Sequence, residues 1–171
     1  MSAREVDAFR FTGRYIKKVV TEAIDATQPP STIPWAAANK ALSESKVALL
    51  TTAGISMKDD KPFDMQGERD KPTWGDPSWR RIANDASSAD VDVNHLHIDT
   101  TYIERDINVA LPVARLNELA ADNTIGGVAS HHYSIMGFQG YDHSTLEDVS
   151  GPEIGAAIAS DDVDLVILAP V

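Results

Sequence analysis

Residues 46–54, KVALLTTAG, limit the fold of this chain more than any other stretch: a short apolar run that closes on a glycine. Its apolar side chains fall at consecutive positions. A strand built from them is covered on both faces, as in a parallel sheet flanked by helices. A second run of this kind, DLVILAP at residues 164–170, lies at the other end of the sequence. Between the two, Leu111, Ala114, Arg115, Leu116 and Leu119 share a helical register over residues 111–121. TIGGVAS (124–130) reads as a strand, and PEIGAAIAS (152–160) as a helix with Pro152 near its first turn. Strands joined through helices require right-handed crossovers. The fold class predicted is therefore α/β, a three-layer sandwich with a mainly parallel sheet, resembling one half of a Rossmann-like or doubly wound domain. Leu49, Val128 and Ile167 are expected to be buried on its central strands.

Ahead of this region Val6, Phe9, Ile16, Val19, Val20, Ala23 and Ile24 recur at spacings of three and four, the pattern of a buried helix face, and Pro29–Pro30 ends that element. Residues 1–45 are thus expected to form an N-terminal helix and linker, and residues 46–171 the α/β domain. Residues 55–90, polar and rich in Pro, Gly and Asp, predict one long loop of the functional kind. VDVNHLHID (91–99) alternates as a strand. The formal net charge of −11 excludes nucleic acid and anionic membranes as partners. No apolar run approaches the ~20 residues that span a bilayer, and no signal peptide opens the sequence, which predicts a cytoplasmic protein. The absence of cysteine excludes disulfides, thiolate metal sites and a cysteine nucleophile within these 171 residues.

In parallel sheets, ligands bind outside the carboxyl ends of the strands. Three predicted ends carry candidate chemistry: residues 51–54, 130–134 and 169–171, which are expected to meet on one rim. His131-His132-Tyr133-Ser134 suits substrate binding or proton transfer there, or else a capping loop. His95, His97 and Asp99 fall on one face of a strand, the spacing of a divalent metal site such as that of a metal-dependent hydrolase; a polar strand face gives the same pattern, and no metal is assigned. In Gly75-Asp76-Pro77-Ser78-Trp79-Arg80-Arg81 the arginines suit a carboxylate, or the segment is a turn packed by Trp79. There is no P-loop and no GxGxxG, so nucleotide binding has no support.

VALLTTAGI, GDPSWRRI, HLHIDTTYIERDINVALPVARLNEL, IGGVASHHYSIMG and VDLVILAPV occur in this order. Together they resemble the selenoprotein B family of glycine, sarcosine and betaine reductases and of D-proline reductase, from about residue 46 onward. The resemblance implies that the catalytic selenocysteine, or cysteine, stands directly after the position of Val171, ahead of a second α/β half. No catalytic residue or cofactor is then expected within this chain. A reading that stopped at a UGA codon for selenocysteine, a split subunit and a short non-catalytic paralogue are the three expectations for its length. The implied reaction is reductive C–N cleavage of a small amino acid or betaine. A partner subunit holds the substrate on a pyruvoyl group, and a thiol or selenol carrier supplies electrons. Carried over by position, Arg80, Ser130, His132, Tyr133 and Ser134 line the substrate end. An apolar last strand further predicts a homo-oligomer, a two-fold dimer.

Overall fold

The computed structural model describes residues 9–26 and 35–171. The chain divides into two compact units, Met1–Ala37 and Ala38–Val171. In the first, α1 (Arg14–Ala26) confirms the helical spacing of the apolar residues. Its face is not buried, however: Ile16 and Ile24 are exposed. Phe9 precedes the helix in a turn, while Val6, Pro29 and Pro30 lie outside the described residues.

The second unit is mixed α/β with a mostly parallel sheet. Its strands are β1 (Lys46–Thr51), β2 (Ile55–Met57), β3 (Trp79–Ala83), β4 (Val91–Val93), β5 (Gly127–Val128), β6 (His131–Ile135) and β7 (Leu165–Ala169). The helices are α2 (Met65–Asp70), α3 (Thr101–Arg105), α4 (Val113–Ala121) and α5 (Gly151–Ser160). β1 is the hub. β7 runs parallel to it from Val47↔Leu165 to Thr51↔Ala169. Its other edge is shared by β5, at Lys46↔Gly127 and Val47↔Val128, and β6, at Leu50↔Tyr133 and Thr51↔Ser134. The register advances by two residues between β5 and β6, so Ala129–Ser130 interrupts what is otherwise one strand. β3 joins β6 antiparallel, and β2 pairs with β4 in a separate two-stranded sheet.

Period-two alternation in β1 sends Val47 and Leu49 to one face and Ala48 to the other. The first face packs Ile55, Ile82, Leu111, Val113 and Leu116. The second packs Ala129, Tyr133, Ile154 and Ala157. Each fully buried Leu or Ile in such a core contributes about 1.5–3 kcal/mol.

Four expectations change. Residues 55–90 are not one loop, since β2, α2 and β3 lie within them. β3 escapes a hydrophobicity reading because, of its five residues, only Ile82 is fully buried. The strand expected over residues 91–99 stops at Val93. There the His95 ring accepts the His97 N–H and Asp99 accepts the Thr101 N–H, local bonds that compete with a ladder. The strand expected over 124–130 shrinks to β5, and His131–Ser134 do not cap it but belong to a further strand, β6. Finally, Leu49 is buried but Val128 only partly, and Ile167 is 47% exposed, because β7 has no neighbour on its outer edge among the described residues.

The chain leaves β1 through Gly54, whose φ of +63° is strained for any residue with a Cβ. A Cβ there would lie 2.5 Å from the Asn94 carbonyl oxygen and 2.6 Å from the Met136 sulfur. Gly54→Ala is expected to cost on the order of 1–3 kcal/mol, read as a lower urea midpoint at unchanged slope. An unchanged midpoint would show that this turn is not as tight as described.

Candidate functional site

The carboxyl ends of β1 and β7 are tied by one side chain. Thr52 Oγ1 accepts the Val171 N–H at 2.9 Å and lies 3.3 Å from the Val171 carbonyl, to which it can donate. The Thr52 N–H reaches the Ala169 carbonyl at 3.4 Å. Beyond β1, Ala53 bridges to Met136 and the Gly54 N–H bonds the Ile135 carbonyl, so the end of β6 arrives at the same corner. The expected meeting of residues 51–54 with 169–171 is therefore present. Ser134, paired with Thr51, and residues 135–137 after it supply the third side, whereas His131–Tyr133 lie further back in β6.

Gly137 keeps the corner open. A Cβ on it would lie 3.1 Å from the Thr52 carbonyl oxygen and 3.5 Å from His95 Nε2. His95 is nearly buried. Its Nδ1 accepts the His97 N–H at 3.1 Å, which fixes the proton of the neutral ring on Nε2. Burial, then the neighbouring His97, hold its pKa below the ordinary histidine value. The corner thus contains a neutral N–H donor with a set tautomer. His97 in turn donates to the buried Glu68 at 2.5 Å and packs edge-on against Phe138. Glu68 Oε2 is buried without a hydrogen-bond partner.

The residues carried over from the resemblance sit elsewhere on the sheet. His132 is fully buried, and its Nδ1 accepts the Leu49 N–H at 3.2 Å. It fills the gap in the ladder that the register shift at Ala129–Ser130 creates. Its Nε2 has no partner among the described residues, and burial, with His131 nearby, pushes its pKa down to about 4. Ser134 Oγ accepts the Ile55 N–H at 2.8 Å. Tyr133 points to the other face, where its hydroxyl donates to Asp161 at 3.1 Å; burial and that carboxylate push its pKa up to about 12. Ser130 is exposed at the sheet interruption, and its carbonyl accepts the Asn84 N–H. Arg80 donates four hydrogen bonds, to the Lys61, Pro62 and Trp79 carbonyls and to Ser78 Oγ, and stacks 4.3 Å over Phe63. Little of its fork is free for a carboxylate.

His95, His97 and Asp99 do not converge: Asp99 starts α3, and His97 pairs with Glu68. Among the described residues, no group of three His, Cys, Asp or Glu side chains is placed to hold a metal ion. No described helix is long and apolar enough to cross a membrane. The role of Gly137 as a gap, and the tautomer of His95, carry no sequence signal beyond the Gly and His themselves.

Residues 15–171 match the family glycine/sarcosine/betaine reductase selenoprotein B. The chain is also 34% identical, over 145 residues, to the D-proline reductase subunit gamma of Acetoanaerobium sticklandii, a match that covers 85% of this chain and 55% of that protein. No solved structure matches it. The chain belongs to the selenoprotein B family of these reductases, and it spans about half the length of the curated relative it matches.

The His132 geometry has a pH consequence. Its folded pKa of about 4 lies below the ordinary ~6.5, so between these values the unfolded chain binds more protons. Stability is expected to fall as pH drops from about 7 towards 4, by up to about 3 kcal/mol from this group. His132→Asn keeps an acceptor without titrating and should flatten that part of the pH profile. His132→Leu should cost about 1–3 kcal/mol at pH 7 by leaving the Leu49 N–H unpaired. Identical pH slopes for wild type and the Asn variant would remove this role.

Proposed function

We propose that residues 46–171 form the amino-terminal half of a reductase subunit that cleaves the C–N bond of a small amino acid or betaine. The observation that carries this reading is the Thr52–Val171 tie at the carboxyl ends of β1 and β7, beside the His95 Nε2–H and the gap over Gly137. The selenocysteine or cysteine of the longer subunit, in the position after Val171, supplies the nucleophile. A partner subunit holds the substrate on its pyruvoyl group, and a thiol or selenol carrier returns the electrons.

Each residue of the corner then has a definite task. Thr52 fixes the backbone entering the reacting position, which matters because small displacements of a nucleophile cost large factors in rate. Gly137 leaves room for the substrate carbon. The His95 Nε2–H donates a hydrogen bond to the amine as it leaves with the bonding electron pair, and the proton the amine takes up comes from solvent. A neutral imidazole suits this better than a charged one, since the site is desolvated. His132, Ser134, Tyr133 and Arg80 act on the corner only as supports, from their own places in the sheet: they hold β1, β2, the Asp161 contact and the 61–63 segment in place.

The test uses the full-length subunit with its partner and a dithiol donor, offered D-proline, glycine, sarcosine and betaine. Reduction of at least one is expected, and Thr52→Val should lower kcat about tenfold or more with little change in Tm. Failure on all four substrates, with the partner present, would overturn the reading.

The outer edge of β7 supports a second proposal about assembly. Leu168 is 68% exposed and Ile167 about half, beside a strand edge that no described residue covers. Such edges associate. We propose a two-fold dimer of the 171-residue chain through β7, and light scattering at micromolar concentration should give twice the 18.5 kDa chain mass. Leu168→Lys is expected to shift it to monomer. A monomeric wild type would overturn the dimer.

A further inference from the structure

Arg80 was the arginine expected to bind a substrate carboxylate, yet it is spent on holding the 61–63 segment. That segment is one wall of a cavity of ≈ 480 Å³ that two other cations line, Lys61 and Arg69. Phe63, Met65 and Asn94 complete much of the lining, and Asp64 is the one acid in it. Neither the Lys61 nor the Arg69 side chain makes a hydrogen bond or ion pair with another described residue.

The walls are fixed before any ligand arrives. Arg80 bonds the Lys61 and Pro62 carbonyls and stacks on Phe63, which is itself buried. Asn94, also buried, spends its amide N–H groups on the Gly54 carbonyl at 3.1 Å and Ser56 Oγ at 2.9 Å, leaving its Oδ1 without a donor in the described chain. Asn94 directly precedes His95, so the cavity adjoins the strand-end corner through one peptide link. The Lys61 and Arg69 side chains themselves are exposed and order only on binding, which keeps the affinity weak.

We propose that this cavity is the subsite for a small zwitterionic amino acid, with Lys61 and Arg69 taking the carboxylate and Asp64 with Asn94 Oδ1 facing the ammonium group. The proposal rests on the reading that the chain handles amino-acid substrates, and it places their recognition on residues not singled out by the sequence. Lys61 serves as a point charge; Arg69 can take both carboxylate oxygens through its fork. The cavity is larger than one such amino acid, so charge placement rather than close fit orients the ligand. The affinity expected is correspondingly weak, about 1–10 mM.

The experiment is an amide NMR titration of the 171-residue chain with D-proline, glycine, acetate and methylammonium chloride at constant ionic strength. D-Proline and glycine should give saturable shifts centred on residues 61–69 and 94, and acetate should compete with them. Lys61→Gln and Arg69→Gln, checked for folding by circular dichroism, should each weaken binding about tenfold. Arg115→Gln, which removes an exposed cation paired to Glu118, should leave it unchanged. Unsaturable shifts, equal binding in the Lys61 and Arg69 variants, or competition by methylammonium and not acetate would overturn the subsite. The two readings fail separately. Binding that persists in a subunit that reduces none of the four substrates sinks the reaction and spares the subsite. Full activity with unchanged KM in both variants does the reverse.

Discussion

Both edges of β1 are hydrogen-bonded, and the rest of the domain is arranged around that fact. On one side β7 pairs over five residues without a break. On the other, β5 and β6 share the edge but are out of register with each other by two residues. A buried backbone N–H left unpaired at such a break costs about 1–3 kcal/mol. The His132 imidazole removes that cost by standing in for the missing carbonyl opposite Leu49. The substitution has a condition attached: the ring must stay neutral, because protonating Nδ1 would destroy the acceptor. Burial enforces this condition. The same shift that His132 repairs sets each β6 residue opposite a β1 residue two positions earlier, and that displacement draws Gly137 back beside Thr52.

The corner that results is short of charge, and this suits the electrostatics of the whole chain. With a net charge of −11, the molecule repels anions at long range, although salt screens the field beyond roughly 8–10 Å. An amino acid or betaine is zwitterionic and crosses such a field without penalty, whereas a simple carboxylate or a phosphate does not. For the amino-acid substrate we propose, recognition of the carboxylate has to be local, by cations without an acidic partner among the described residues. A neutral imidazole donor at the reacting end avoids placing a second buried charge where desolvation would make it expensive.

The sequence made the parallel hub legible because apolar runs at consecutive positions have few other uses in a soluble domain. β1, α5 and β7 sit where KVALLT, PEIGAAIAS and DLVILAP place them. It misled wherever a polar side chain replaces a backbone partner. VDVNHLHID alternates over nine residues, yet the strand ends at Val93, since periodicity registers the side-chain pattern and not the His95 bond that turns the chain. β3 failed in the opposite sense. Its Trp-Arg-Arg-Ile-Ala carries no apolar alternation because an antiparallel edge strand needs only one buried side chain to stay in place. The candidate site was half visible. The rule that ligands sit at strand carboxyl ends located Thr52 and Val171, but the two-residue register shift, invisible in sequence, left only Ser134 of residues 130–134 at the third side and brought 135–137 there with it.

The histidines show why residue type alone could not assign the chemistry. His95 and His132 are both buried, both accept a backbone N–H on Nδ1, and both have depressed pKa values caused first by burial. They differ in what lies beyond Nε2. For His132 it is the packed interior, where the N–H is enclosed without a partner and no substrate can reach it. For His95 it is the side-chain-free face of Gly137, where an added Cβ would lie 3.5 Å from Nε2, next to the residue that Thr52 holds. A ring nitrogen enclosed by core is an expense the fold bears to keep β1 paired. The same N–H facing the strand ends is available to donate a hydrogen bond. One missing Cβ, that of Gly137, separates these two cases, so the glycine is as much a part of the proposed chemistry as the histidine that faces it.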